Sequence, residues 1–279
     1  MSDAIEHSSL GRHSEYVDHY APELLYAVPR AEARASLALP EPLPFHGADF
    51  WNAYELSWCD KSGKPQLALA RFVMPCDSLY LIESKSLKLY LNSFANSRFA
   101  SEQEVSSRLS EDLSACCGAP VTVSLVSMQD AAADGWLALP DCCIDALAFD
   151  ETRLHPSRSA AEQLALLSGE PQKQQFYSHL LRSLCPVTGQ PDWATLIVDY
   201  CGEPLCLSGV LHYLVALRNH SGFHEQIIER IFIDLLRLSP QATLTVYGRF
   251  TRRGGIDINP CRSNLPGDLS VRNLRMVRQ

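Results

Sequence analysis

The segment Cys185-Pro-Val-Thr-Gly-Gln-Pro-Asp192-Trp193 sets a thiol and a carboxylate on either side of a Gly/Pro-rich turn. A free thiol with a pKa near about 8.5 is only a few per cent thiolate at neutral pH, so a cysteine nucleophile needs help. Asp192 would not lower that pKa by charge, because like charges repel. It suits a base, or a proton donor to the atom that the sulfur attacks. The string equally describes a packed thiol beside a turn aspartate, and taken alone it favours that blander reading.

Three further strings carry chemistry-bearing residues. In Ser221-Gly-Phe-His224-Glu225-Gln226, a carboxylate opens the most apolar helical stretch of the chain. A helix dipole accounts for such a residue at the surface, whereas a pocket carboxylate would accept two parallel hydrogen bonds from an amidine-like edge. In Glu83-Ser-Lys85-Ser-Leu-Lys88-Leu-Tyr90, two lysines lie three apart and face one way if the segment is helical. They are either a solvated helix end or a phosphate site, with Glu83 turned inward. In Arg249-Phe-Thr-Arg252-Arg253-Gly254-Gly255-Ile-Asp-Ile-Asn-Pro260, adjacent arginines meet adjacent glycines. Glycine lets a backbone approach a ligand closely, and guanidinium forks match phosphate. No GxGxxG follows a strand, so a Rossmann cofactor domain is not indicated.

Simple elements must position these residues. Residues 1–45 are polar, then proline-punctuated, and read as an extended arm. Strand-like runs start near Trp51 and continue through Gln66–Met74 and Ser78–Ile82. Val105, Leu109 and Leu113 mark a helix, with Ser101 and Glu104 as a capping box at its start. Val121–Val126 is another strand, and a short Ala/Leu helix ending at Gly169 lies in a polar connection. The second half repeats this plan. Cys59, Gly63 and Pro65 align with Cys185, Gly189 and Pro191, which puts Gln66 where the second half has Asp192. Glu102-Gln103 aligns with Glu225-Gln226, Val105 with Ile228, Leu109 with Phe232, and Val121-Thr122-Val123 with Leu244-Thr245-Val246. A tandem duplication follows, divided as an arm (1–45), a first module (46–150), a connection (151–170) and a second module (171–279).

The bulk numbers narrow the function. With 279 residues, 46% of them hydrophobic, the chain can bury large cores. A net charge of −8 argues against a broad grip on nucleic acid or anionic membrane. No run approaches the length of a membrane helix, and the start MSDAIEHSSLGRHSEY has no basic leader before an apolar run. The expectation is a cytoplasmic protein. Its 10 cysteines include no CxxC pair and no zinc-finger spacing, so no metal is expected and most thiols are assigned to packing.

Taken together, the four strings resemble those of the NADPH-dependent 7-cyano-7-deazaguanine reductases, the nitrile reductases of queuosine biosynthesis, in their longer two-module form. The resemblance runs from about residue 45 to the C-terminus. It implies an α+β chain of tandem tunnelling-fold modules, with antiparallel sheets and helices packed on one face. It also implies that Cys185 adds to the substrate nitrile as a thioimide and that Asp192 protonates the nitrogen. By the same resemblance Ile82, Glu83, Ser84, His224 and Glu225 hold the deazaguanine, and Ser84, Lys85, Arg253 and Gly254 contact NADPH. Two NADPH are needed per nitrile, a site where the halves meet is implied, and a homodimer is expected. Three rivals remain: a GTP cyclohydrolase-like zinc hydrolase, a non-catalytic purine- or pterin-binding module, and a cofactor-free thiol hydrolase.

Overall fold

A computed structural model describes residues 17–154, 159–267 and 273–279. Its strands are β1 (Ala27–Pro29), β2 (His46–Cys59), β3 (Pro65–Pro75), β4 (Tyr80–Ile82), β5 (Thr122–Val126), β6 (Cys142–Cys143), β7 (Gln172–Leu184), β8 (Pro191–Gly202), β9 (Thr243–Phe250) and β10 (Ile256–Ser263). Its helices are α1 (Arg30–Arg34), α2 (Ser84–Ser93), α3 (Glu102–Cys117), α4 (Met128–Ala133), α5 (Leu207–Ala216) and α6 (His224–Leu238). The expected arm lies outside the described residues up to residue 16. From Tyr20 onward it carries β1 and α1.

The chain divides into two compact units. The first holds residues up to Ser36, Ala48–Trp136 and Arg252–Ile258; the second holds Leu37–Gly47, Leu137–Thr251 and Asn259–Gln279. Of strand β10, Ile256–Ile258 fall in the first unit and Asn259–Ser263 in the second.

In the first unit the strands run in the order β5-β3-β2, all antiparallel. Apolar residues of β2 and β3, among them Trp51, Leu56 and Phe72, pack with Leu87 and Tyr90 of α2 and with Leu109 of α3. Helix α3 starts at Ser101, whose side chain accepts from the Glu104 N–H, and ends at Gly118 in the left-handed region. Between these caps the buried residues Val105, Leu109, Leu113 and Cys117 recur every fourth position and form the apolar stripe expected from the sequence. Tyr20, from the arm, shares Asp112 with Tyr90: their hydroxyls donate to one carboxylate oxygen at 2.5 and 2.6 Å. Burial and that carboxylate hold both phenols protonated, far above the usual tyrosine range.

In the second unit the order is β10-β9-β8-β7-β6, antiparallel except for the short β6–β7 pair. Helix α6 lies on β9, where Gly248 leaves room for it. A Cβ there would fall 2.5 Å from Ile228 Cδ1. The helix is pinned by a buried ion pair, with Arg262 Nε and Nη2 at 3.0 and 2.8 Å from Glu229 Oε1. Removing one partner of such a pair leaves an uncompensated buried charge, which costs about 3–5 kcal/mol. Arg262→Met should therefore destabilise by about that much, and Arg262→Met/Glu229→Met should recover most of it. Chemical denaturation of the two variants is the check, and equal losses in both would refute the account.

The duplication is visible in the hydrogen-bond ladders. The β2–β3 hairpin shifts register between Ala53 and Leu56, and β7–β8 shifts between Ser178 and Leu181. Leu69 faces Val126 on β3–β5, and Thr195 faces Arg249 on β8–β9. Both pairs occupy the same place in their respective units. A slipped ladder would flip inward residues outward, so each copy has kept its bulge and its register.

Two sequence expectations need correction. The Ala/Leu segment before Gly169 forms only a 3-10 turn, Ala160–Gln163, because Leu166 is drawn into a bridge with Leu205. Cys142 and Cys201 are exposed rather than packed; on β8 the inward residue is Tyr200, and alternation turns Cys201 outward. Among the described residues, no helix is long and apolar enough to cross a membrane, and no group of His, Cys, Asp and Glu could hold a metal ion.

Candidate active site

Cys185 follows directly on β7 and is 4% exposed. Its N–H donates to Gln190 O at 2.8 Å and its carbonyl accepts from Gly189 N–H at 3.0 Å, which closes the 185–190 turn. Leu184, one residue back, exchanges hydrogen bonds with the segment leading into α6: its N–H donates to His220 O, and its carbonyl accepts from Gly222 N–H. That clamp brings the start of α6 to the end of the hairpin. Across the ladder Asp192 faces Ser183. His224, the first residue of α6, sets its Nε2 3.3 Å from Asp192 Oδ2. The imidazole lies flat on the Phe250 ring, with centroids 3.8 Å apart and planes 3° apart.

The surface explanation of His224 and Glu225 does not hold. Glu225 is 4% exposed and the His224 side chain 12%. A dipole-stabilised surface carboxylate has no need of burial, and burying an ionised one is costly without partners. Two polar atoms beside Asp192, His224 Nδ1 and Ser183 Oγ, are buried with no hydrogen-bond partner among the described residues. Such atoms are few in native proteins, and here they are hydrogen-bonding capacity that the protein itself does not use.

The first unit shows what the same frame looks like with other side chains. Cys59 exchanges hydrogen bonds with Ser97 and Phe99 as Leu184 does with His220 and Gly222. Asp60 closes the following turn, its N–H donating to Lys64 O and its carbonyl accepting from Gly63. The counterpart of Cys185 is therefore Asp60, and Cys59 matches Leu184. The second turn is one residue longer, which the Gly and Pro spacing alone does not reveal. The match of Gln66 with Asp192 stands, since they face Trp58 and Ser183 at equivalent rungs. Gln66 Nε2 donates to Asp60 Oδ2 at 3.0 Å. In the first unit, side chains at the positions that correspond to Cys185 and Asp192 are thus hydrogen-bonded to one another. Asp60 also accepts from Ser62 and Lys64, and these bonds hold its carboxyl below the usual range. It is an acid locked into its own turn.

The remaining sequence candidates gather in the first unit. Ile82 is buried on β4, paired with Ala27. Glu83 caps α2, accepting from Lys85 N–H at 2.7 Å and Ser86 N–H at 2.8 Å. The helix N–H groups that could greet an anion are thereby spent on Glu83, and anion recognition falls to side chains. Ser84 opens the helix, and Lys85 and Lys88 follow, half-buried, on its first turns. Arg253-Gly254-Gly255-Ile256 is a tight hairpin turn in which both glycines have positive φ, 65° and 81°. Lys88 crosses this turn so closely that a Cβ on Gly254 would lie 3.0 Å from its Cδ and Cε. Motifs distant in sequence thus form one basic corner around a bare backbone, a donor set suited to phosphate.

Two family models match this chain. One, described as "Nitrile reductase, 7-cyano-7-deazaguanine-reductase N-term", covers residues 16–125, and the other, "QueF-like protein", covers 191–266. Together they take in well over half of it. The chain belongs to the 7-cyano-7-deazaguanine reductase family. Members of this family are nitrile reductases of queuosine biosynthesis, and their domains are of the tunnelling-fold type, in keeping with the antiparallel sheets and helices described above. Ile82 to Lys85 lie in the first match, and Asp192, His224, Glu225, Arg253 and Gly254 in the second. Cys185 lies between the two, so its place rests on the hairpin geometry.

Sequence reasoning missed Phe250, the surface on which His224 rests. Its position two residues before the Arg252-Arg253 pair was the one available signal. Nothing in the spacing couples it to a histidine twenty-six residues earlier.

Proposed function

We propose that this protein reduces the nitrile of 7-cyano-7-deazaguanine to the primary amine with two NADPH, through a covalent thioimide on Cys185. The reading is carried by Cys185, Asp192, His224 and Glu225 gathered at one buried hairpin end. The Cys185 sulfur attacks the nitrile carbon, and an electron pair of the triple bond moves to nitrogen. Asp192 hands to that nitrogen the proton that the Cys185 thiol gives up as it attacks. A bare nitrile is a poor hydride acceptor, and a protonated thioimide is strongly polarised. NADPH, when bound at the Lys85 and Arg253 corner, would supply the two hydrides that this carbon takes up in turn. Between them the carbon–sulfur bond breaks and Cys185 leaves as the thiolate, while the protein keeps the resulting imine from water.

His224 holds Asp192 in place, and the Phe250 ring fixes the plane of His224. Glu225 suits the N–H and amino edge of the base, because a carboxylate matches that pair bidentately. Each Glu83 oxygen already accepts one backbone N–H and keeps a further lone pair for a ligand. The corner of Lys85, Lys88, Arg253 and Gly254 fits the cofactor phosphates. Lys85→Ala should accordingly raise the KM for NADPH by about tenfold and leave that for the nitrile within about twofold. Equal changes in both would remove Lys85 from the cofactor site. We place the protein in the cytoplasm, working as a homodimer, since two modules are too few to close a tunnelling-fold barrel.

The deciding experiment is NADPH oxidation with 7-cyano-7-deazaguanine, with the amine product identified by mass. Stoichiometric zinc without NADPH consumption would favour a cyclohydrolase-like reading. An amide product would favour a thiol hydrolase, and tight binding with no turnover a binding module.

A further inference from the structure

Phe250 is held by an unusual partner. The carboxamide of Gln279, 5% exposed, makes four hydrogen bonds in the second unit. Its Oε1 accepts from Arg249 Nε at 3.0 Å and Nη2 at 2.6 Å. Its Nε2 donates to the Phe250 carbonyl at 2.9 Å and to Asn259 Oδ1 at 2.7 Å. Asn259 Oδ1 in turn accepts from the Phe250 N–H at 3.2 Å. Both main-chain polar groups of Phe250 are therefore engaged, one by Gln279 and one by the asparagine that Gln279 orients. Arg249, 1% exposed, is enclosed by neutral acceptors, Tyr247 Oη, Asn273 Oδ1, Leu274 O and Gln279 Oε1. A buried cation so fully satisfied fixes the strand end rigidly.

We propose that Gln279 is a positioning residue for the His224–Asp192 pair, acting through the main chain of Phe250, on whose ring His224 stacks. The inference rests on the proposed nitrile chemistry for its catalytic consequence, but not for its structural content. The route is a chain of direct contacts: carboxamide to Phe250 backbone, ring to imidazole at 3.8 Å, imidazole to Asp192 at 3.3 Å. A stacked ring cannot shift without carrying its partner, and displacements near 1 Å cost catalysis heavily.

The nearly isosteric Gln279→Glu variant tests it. Its Oε1 still meets Arg249, which preserves the buried cation's partner. Its second oxygen replaces the donor and faces two acceptors, the Phe250 carbonyl and Asn259 Oδ1. Gln279→Met keeps the bulk and removes every bond, and it carries the test if the Glu variant fails to fold. Arg278→Ala is the control. It loosens the same terminal segment from His179 O and Ala194 O without touching Phe250.

The primary measurement is the NMR shift of the two His224 ring protons, assigned by their loss in His224→Gln. Stacking on Phe250 holds them upfield, and they should move downfield in Gln279→Glu and Gln279→Met but not in Arg278→Ala. The rate of adduct formation at Cys185 with the nitrile base should fall about ten- to a hundredfold in the first two. Unchanged His224 shifts in the folded Gln279 variants, or an equal shift in Arg278→Ala, would overturn the proposal. If wild type forms no adduct and oxidises no NADPH, the nitrile reading fails, and the His224 shifts still decide the role of Gln279.

Discussion

Cys185→Ala should form no adduct with 7-cyano-7-deazaguanine, and its turnover should fall by about 10⁴-fold or more, while its melting temperature should stay close to wild type. The size of the loss follows from removing a covalent nucleophile, which no neighbouring group can replace. Stability is spared because Cys to Ala deletes one sulfur, and the turn is closed by main-chain bonds to Gln190 and Gly189. Wild type should gain the full mass of the nitrile base on the Cys185 peptide, since thioimide formation expels nothing. The Cys116-Cys117 pair should not compete. Burial pushes Cys116 up to about 11 and raises Cys117 as well, so both stay protonated and poorly nucleophilic at neutral pH. An adduct on any other cysteine, or unimpaired turnover in Cys185→Ala, would end the thioimide mechanism.

Asp192→Asn should lower turnover by about 10²–10⁴-fold, the usual worth of a positioned general acid. The substitution keeps size and leaves an oxygen facing His224 Nε2, so the fold and the affinity for the base should survive. What is lost is a group that can surrender a proton to the nitrile nitrogen. The loss should appear in the rate of adduct formation at saturating nitrile and not in its half-saturation, because the proposed proton goes to the nitrogen as the neighbouring carbon is attacked. Single-turnover absorbance measurements separate the two. An adduct rate within about threefold of wild type would remove Asp192 from the proton-donor role. The first unit offers a natural comparison: with Asp60 and Gln66 at the corresponding positions, it has neither a thiol nor a free acid at those two places.

Much of the architecture was legible because it is periodic. The stripe of Val105, Leu109 and Leu113 can only be a helix with one buried face, and Ser101 announces where it starts. The duplication was legible for the same reason: an inward residue must recur at matching rungs in both copies. The alignment of Cys59 with Cys185 failed at a turn, where no periodicity constrains the count. Both spacings fit the Gly and Pro positions, and only the bonds from Leu184 to His220 and Gly222 show which residue closes the frame.

From residue types and spacing alone came the chemistry-bearing set, the thiol and acid around a turn, the carboxylate opening a helix, the lysines and the Gly-Gly turn, together with a repeated α+β plan. Those features are local, and local sequence determines them through turn geometry and the two secondary-structure periods. Tertiary structure decided which of them meet. It set Lys88 across Gly254, laid His224 on Phe250 beside Asp192, and buried Glu225. Each of these is a contact between segments far apart in the chain, fixed by strand pairing and core packing rather than by any spacing within a motif.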